Sequence, residues 1–468
     1  MSRQVISHRF FFSLSLLILL AAASINTTAQ QRTTDQLPPP PPPTYTRPTV
    51  LSRPAIPPGT QPTAPATTAP DIDIPDYETP LFRTQGALVE TVNGSPVLEQ
   101  AADVGFNPAS AVKLATALAA LQTFGPEHRF ITAVWTDGTF NQATGTVTGD
   151  LIISGRDPSF HYEHAIMIAR ELNRQGIRTV TGDLIVAPRF SMNFDWSTQR
   201  SGDALYDTLD ASRRPAEATR NWYEERQSLG DTASLQTVPS VAVMGAVYVE
   251  SVPARARLLL THRSSKLVDV LKVLLCYSNN FMAERIGDTL GGPEGVRRLA
   301  LNTVGLKPWE VSLASTSGLG VNRVTPRAMM KIFRALRNEL AKHSLQPSDI
   351  MPVAGIDPGT LKKRYTSYPS RGSVIAKTGT LIRTDGGVSA LVGQMQTARG
   401  ETLLFVIFNQ RGNVVRFRES QDALVTQLQS SRGGPAAFNY RPLTLAMRLA
   451  DTELDSANAR KDEYEPSR

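Results

Sequence analysis

A serine and a lysine three residues apart, Ser110 and Lys113, are where this sequence first offers chemistry. At that spacing on a helix a hydroxyl and an amine share one face, close enough to pass a proton. The start of a helix adds a positive dipole end and free backbone N–H groups, which favour negative charge developing on an attacked oxygen. Of the ten lysines only Lys113 has a serine at this spacing. Ser278 with Asn280 is a second hydroxyl–amide pair, although Ser-x-Asn recurs at Ser24, Ser191 and Ser456. Lys377-Thr378-Gly379-Thr380 occurs once, after the apolar run Val374-Ile375-Ala376. Glycine there lets a substrate backbone come close, while the lysine and threonines offer a cation and hydroxyls to a carboxylate. Taken singly, the three have plain readings: a helix start with a surface lysine, a helix cap, and a strand end with a turn glycine. Their order along the chain is what sets them apart.

The elements that must position them are legible in outline. Asn107-Pro108 supplies a cap and a first-turn proline for a helix through Phe124, with Ser110 at its start. Lys266–Cys276 reads as an apolar-faced helix ending at Ser278, and Thr325-Pro326 opens a helix through Leu340. Strands are expected at Leu88–Val92 and Pro96–Leu98 around an Asn93-Gly94 turn, and at Val388–Gly393 and Thr402–Phe408. An internal echo, Val147–Ile153 repeated at Val180–Val186, brackets a helical pattern over His161–Gln175. Two copies are too few for a solenoid, so a strand–helix–strand unit is expected. Residues 195–235 are polar and poorly patterned, and the segment after Gly433 reads as a loosely held polar tail.

Composition sets the frame. A chain of 468 residues, 41% hydrophobic and 19% charged, has room for two or three domains and a sizeable core. Arg3, His8 and Arg9 precede an apolar run, Phe10–Ala23, followed by Thr27-Thr28-Ala29, in the order of a secretory signal. An uncleaved segment of this kind would act as a membrane tether. Residues 30–70, with unbroken proline from Pro38 to Pro43, favour extended polyproline II and cannot pack a core. Without residues 1–29 the balance is 47 basic against 42 acidic residues, too even to point to nucleic acid. The lone Cys276 has no disulfide partner and reads as a small buried hydrophobe. His128, His161, His164, His262 and His343 lack a convincing ligand spacing, so no metal is expected.

Ser-x-x-Lys, Ser-x-Asn and Lys-Thr-Gly in this order are the signature of penicillin-binding proteins and serine β-lactamases. At finer grain the chain resembles the D-alanyl-D-alanine carboxypeptidase/endopeptidase family, the low-molecular-weight class C penicillin-binding proteins. The matching stretches are Asn-Pro-Ala-Ser-Ala-Val-Lys (107–113), Gly-Arg-Asp-Pro (155–158), Ser-Asn-Asn-Phe-Met-Ala-Glu (278–284), Ser-Gly-Leu-Gly-Val-Asn-Arg-Val-Thr-Pro (317–326) and Met-Pro-Val-Ala-Gly (351–355). The resemblance implies an α/β transpeptidase-like domain, an antiparallel sheet flanked by helices, with a lobe inserted between the first two motifs. Together with a signal over 1–29 and a linker over 30–78 read from composition, it divides the chain into a catalytic domain over 79–125 and 258–430, an inserted domain over 126–257 and a tail over 431–468.

The resemblance further implies acyl transfer on peptidoglycan stem peptides, no cofactor, and covalent inhibition by β-lactams. Ser110 would attack the penultimate D-alanine carbonyl, Lys113 act as base, Ser278 relay a proton and Asn280 orient Lys113. Lys377, Thr378, Gly379 and Thr380 would receive the terminal carboxylate. The backbone N–H groups of Ser110 and Thr380 would hold the oxyanion. The insertion is shorter than this family usually carries, with the polar stretch where β-structure is expected after Trp196. A serine β-lactamase is the nearest rival, but Ser312–Gly320 lacks the acid that class A deacylation needs. A non-catalytic wall-binding protein keeping the fold is the other.

Overall fold

The computed structural model describes residues 84–457; the signal and linker expected over 1–78 lie outside them. Among the described residues no helix is long and apolar enough to cross a membrane. The chain opens with a hairpin, β1 (Gln85–Thr91) and β2 (Pro96–Gln100), turning at Asn93-Gly94. A short 3-10 turn, Ala109–Val112, then runs directly into α1 (Lys113–Phe124). After Lys113, Leu-Ala-Thr-Ala-Leu-Ala-Ala-Leu is apolar or small on every side, and α1 is buried from Lys113 through Leu121.

The next stretch builds the inserted lobe, with a hydrophobic core of its own: β3 (Arg129–Thr136), β4 (Thr139–Asn141), β5 (Thr146–Thr148), β6 (Leu151–Gly155), α2 (Tyr162–Arg174), β7 (Thr179–Val180) and β8 (Leu184–Val186). It continues through α3 (Thr198–Leu209), α4 (Ala216–Ser228), β9 (Ala242–Val243), β10 (Val247–Val249) and β11 (Arg257–Lys266). The echoed sequence forms stacked parallel rungs: β5 pairs with β7 and β6 with β8. The stretch from Val241 has strand character in the sequence, but not a visible likeness to the two copies, and it supplies a third rung. Residues 242–249 add β9 beside β7 and β10 beside β8, so the strand–helix–strand unit is extended by one more copy. At each corner a glycine sits over the previous one. Gly182 N donates to Gly149 O at 3.0 Å, and Gly245 N to Gly182 O at 2.9 Å. A Cβ on Gly182 would lie 2.2 Å from Asp150 Oδ1 and 2.5 Å from Gly149 O, so only glycine fits.

Residues 195–235, unpatterned in sequence, are largely helical. On α4 one narrow stripe, Ala218, Trp222 and Arg226, is buried, and its two apolar members pack on Ile166 and Met167 of α2. A stripe one residue wide leaves little periodic signal.

The chain returns through α5 (Leu267–Tyr277), α6 (Asn280–Thr289), α7 (Gly292–Val304), β12 (Val311–Ser312), β13 (Arg323–Val324), α8 (Pro326–Lys342) and α9 (Pro347–Ile350). It then forms β14 (Val374–Leu381), β15 (Val388–Gln396), β16 (Thr402–Gln410) and α10 (Val414–Ser430). The main sheet is antiparallel throughout, in the order β14-β15-β16-β1-β2. Two of its inner strands, Val388–Gln396 and Thr402–Gln410, are buried nearly throughout because both faces are covered. On one face Ile375, Val392, Val406 and Phe408 join a core with α1, α5 and α8. On the other Ala376, Leu391, Phe405 and Val425 form a second core beneath α10. The α/β class and the helix-flanked antiparallel sheet expected from the sequence are what the chain forms.

The segment after Gly433 is not loosely held up to residue 457. Thr397 and Pro435 form a bridge at the sheet, α11 (Leu445–Leu449) lies on α5, and Arg448 pairs with Asp269 at 2.5 Å. β17 (Glu453–Ser456) then pairs antiparallel with β11, outermost in the sheet β10-β8-β6-β3-β11-β17. Its anchors are ion pairs and a few leucines, and a hydrophobic pattern search does not register such contacts.

Candidate active site

Ser110 lies in the 3-10 turn and Lys113 is the first residue of α1, so the hydroxyl and amine come together as the spacing predicts. Lys113 Nζ is 3.0 Å from Ser110 Oγ, 2.7 Å from Asn280 Oδ1 and 2.6 Å from the carbonyl of Ser317. Its side chain is fully buried, and that burial, with the Lys377 charge adding to it, pushes its pKa well below the lysine range; Glu284 opposes the shift. A neutral amine fits these contacts. Its two N–H groups donate to the two carbonyl oxygens, and its lone pair remains for the Ser110 hydroxyl.

Ser278 ends α5 in the left-handed region (φ 57°, ψ 40°), a conformation costing a non-glycine residue roughly 1–2 kcal/mol. The capping role falls to its neighbour: Asn279 caps α6 by accepting from Met282 N at 3.0 Å. Ser278 Oγ instead accepts from Lys377 Nζ at 2.8 Å. Lys377 is also fully buried and donates to Thr378 O at 2.6 Å; burial draws its pKa down to about 7.

β14 is an edge strand of the main sheet. On its open side Ala376 N donates to Pro352 O, and Val374 O accepts from Ala354 N. Backbone groups alternate along a strand, so Thr378 O and Thr380 N–H also face outward, unpaired by β15. Gly379 faces the nucleophile's segment. A Cβ there would meet Pro108 O at 2.5 Å and Ala109 Cβ at 3.1 Å. The glycine therefore lets β14 close on the Ser110 turn, whereas the sequence reading assigned it to close approach by a substrate. Cys276, two residues before Ser278, is fully buried with its thiol pushed up to about 12.

All eight residues singled out from sequence converge here. Sequence reasoning gave no role to Glu284, Asp385 or Arg323, which hold them, and gave Asn107 only that of a helix cap. Glu284 accepts from Thr316 Oγ1 at 2.7 Å and Ser317 N at 3.0 Å, and so fixes the carbonyl that Lys113 uses. It lies one helical turn past Asn280, a spacing that could have drawn attention to it. Asn107 Oδ1 accepts from Ala109 N, and its amide donates to Asp385 Oδ2 at 2.8 Å. Asp385 in turn takes both Arg323 nitrogens at 2.9 and 2.8 Å, an interaction that lowers its pKa and ties the loop after β14 to the Ser110 turn.

A serine beside a buried lysine, facing an open sheet edge with a helix-flanked antiparallel sheet behind it, defines a transpeptidase-like serine enzyme. The sequence profile of the D-Ala-D-Ala carboxypeptidase 3 (S13) family matches residues 78–199 and 227–430, and the chain belongs to that peptidase family. The unmatched stretch between them covers most of α3 and α4. Among relatives, a carboxypeptidase of Mycobacterium tuberculosis is 27% identical over 379 residues, spanning 74% of this chain and 80% of the relative. The D-alanyl-D-alanine carboxypeptidase DacB of Haemophilus influenzae is 24% identical, with 69% and 83% covered. The fold is shared with a penicillin G-acylated predatory endopeptidase from Bdellovibrio bacteriovorus (TM-score 0.66, 22% identity, 78% and 97% covered). It is also shared with penicillin binding protein 4 of Haemophilus influenzae (TM-score 0.54, 23% identity, 74% and 97% covered).

Proposed function

We propose that this chain is a serine D-Ala-D-Ala carboxypeptidase, with endopeptidase action on cross-links, that works on peptidoglycan stem peptides and is acylated by β-lactams at Ser110. The observation that carries the reading is the position of buried Lys113 Nζ, 3.0 Å from Ser110 Oγ, with Asn280 Oδ1 and the Ser317 carbonyl as its other two partners.

Ser110 Oγ attacks the carbonyl of the penultimate D-alanine while Lys113 takes its proton. The oxyanion is received by the N–H groups of Ser110 and Thr380, where one donor is typically worth about 10²–10³ in rate. Asn280 holds Lys113. Ser278, in contact with Lys377, relays to the departing D-alanine amine the proton that Lys113 took from Ser110, so that as the C–N bond breaks Lys113 is a neutral base again and Ser278 keeps its hydroxyl. Lys377, Thr378 and Thr380 receive the substrate's carboxylate, and water then releases the acyl group and restores the Ser110 hydroxyl. No cofactor enters these steps. The reading extends to the ends of the chain: residues 1–29 export it to the periplasm, 30–78 form a linker, and 126–257 form a domain inserted into the catalytic one.

Intact-protein mass spectrometry after benzylpenicillin treatment tests this. The expected outcome is one covalent adduct on the parent, mapped to Ser110 and absent from Ser110→Ala. Rapid loss of the adduct would point to a β-lactamase. No adduct on folded protein would sink the mechanism and favour a wall-binding protein.

A further inference from the structure

One charged side chain at the site plays no part in the account above. Arg418, half-buried on α10, donates from a guanidinium nitrogen to Thr380 Oγ1 at 2.9 Å. Among the described residues no carboxylate lies within ion-pair distance of it. Arg364, Arg323 and Arg334, by contrast, are matched to Asp422, Asp385 and Glu90. A partly buried arginine whose hydrogen bond goes to a neutral hydroxyl retains most of its five N–H donors for an anion.

The helix that carries Arg418 is fixed beside the third motif. Gln421, on the same face one turn later and almost fully buried, donates to Ser389 Oγ at 3.1 Å and Asn409 Oδ1 at 2.9 Å. Thr380, Ser389 and Asn409 form one row across the sheet, since Thr380 pairs with Ser389 and Ser389 with Asn409. Helix α10 is thus docked along this row, with Gln421 on the inner strands and Arg418 at the edge. The bond also sets the direction of the Thr380 hydroxyl. Arginine can only donate, so Thr380 Oγ1 accepts and its own O–H is left to point elsewhere. Lys377 differs. It is fully buried and committed to Ser278 Oγ and Thr378 O, and its pKa near 7 makes it a cation for only part of the enzyme at neutral pH.

We propose that Arg418 is the specificity-determining residue for a free C-terminal carboxylate, its guanidinium and the Thr380 hydroxyl together forming the receptor for that group. The inference rests on the carboxypeptidase reading and deepens it. A planar guanidinium suits a carboxylate in two-point contact, which a neutral C-terminal amide does not offer.

The test compares a stem-peptide analogue ending in D-Ala-D-Ala with the same peptide as its C-terminal amide. In the parent, kcat/KM favours the acid. In Arg418→Gln that preference falls about 10–100-fold, the size of a lost charge-assisted hydrogen bond, and Arg418→Lys restores part of it. Calorimetric binding of both peptides in the Ser110→Ala background gives the same comparison without turnover. There the acid's advantage shrinks when Arg418→Gln is added. Acid and amide weakened alike, or a preference unmoved by either substitution, would overturn the assignment. Because the binding arm needs no acylation, it fails independently of the benzylpenicillin experiment.

Discussion

The inserted lobe and the site both pair polar atoms at turns of the chain, but they recruit partners over very different distances. In the lobe, Asp150 Oδ1 accepts from Asp183 N, 33 residues on, and Asp183 Oδ1 from Ala246 N, 63 residues on. Each corner repeats the last, so a local motif satisfies itself by stacking. At the site, Lys113 is held by Asn280 and Ser317, 167 and 204 residues away. No segment there is complete alone. Moreover, the lobe's corners satisfy backbone groups, whereas Lys113 is a lysine kept where its charge is disfavoured, at a cost in stability that the rest of the fold offsets.

The sharpest break between the two comes from Lys113→Met. Benzylpenicillin acylation is expected to fall about 10³-fold or more, as for loss of a base acting in concert with its nucleophile. The melting temperature should hold or rise, because the unfolded chain no longer gives up a solvated ammonium on folding; calorimetry beside mass spectrometry checks both.

Gly182→Val is the mirror experiment. Its side chain collides with Asp150 and the Gly149 carbonyl, and a loss of about 4 kcal/mol in denaturant unfolding is expected. Below the melting transition, acylation of Ser110 should stay within about threefold of the parent, since no site residue belongs to the corner.

The lobe also carries its own pH dependence. His262 is fully buried beside His164 and Phe160, neither ring nitrogen has a hydrogen-bond partner among the described residues, and burial draws its pKa to about 3. Between 6.5 and 3 the unfolded state binds the extra proton, so stability is lost as pH falls through that window. Relative to the parent, His262→Phe should retain on the order of 3 kcal/mol more stability at pH 4 than at pH 7. Asp157, raised to about 6, acts in the opposite sense in both proteins and cancels from the comparison. Equal pH dependence in the two would remove His262 as a cause.

The smallest expected effect is at Glu284→Gln. Acylation should slow by about tenfold as the Ser317 carbonyl loses its support. Removing that negative charge should also move the acid limb of the pH–rate profile to lower pH, because Glu284 works against the depression of the Lys113 pKa. A slower rate with an unmoved limb would mean that the glutamate acts only through packing.

What the sequence revealed follows the same division by distance. Residues Lys266–Cys276 and the helix from Thr325 were legible because their stripes are wide, and the structure shifts their ends by one or two residues. Two of the three rungs were legible as literal repetition. The third, Ala242–Val249, has Met244 before its glycine and Ala246 after it, which hides the likeness. The eight site residues could be singled out by type and order, but not what fixes them. Nothing in the spacing of Glu284, Asp385 or Arg418 shows that these side chains reach Ser317, Asn107 or Thr380, since only the completed sheet brings them near.

The strand Glu453–Ser456 closes a sheet whose other members all lie between residues 129 and 266. While the chain is being synthesised, β11 must therefore wait with one side open until nearly everything else has been made. An exposed strand edge of that kind invites any extended segment that passes. A product shortened at Gly433 would keep every residue of the three motifs yet lack its own closing strip, and aggregation with other chains would be the expected fate of such a fragment.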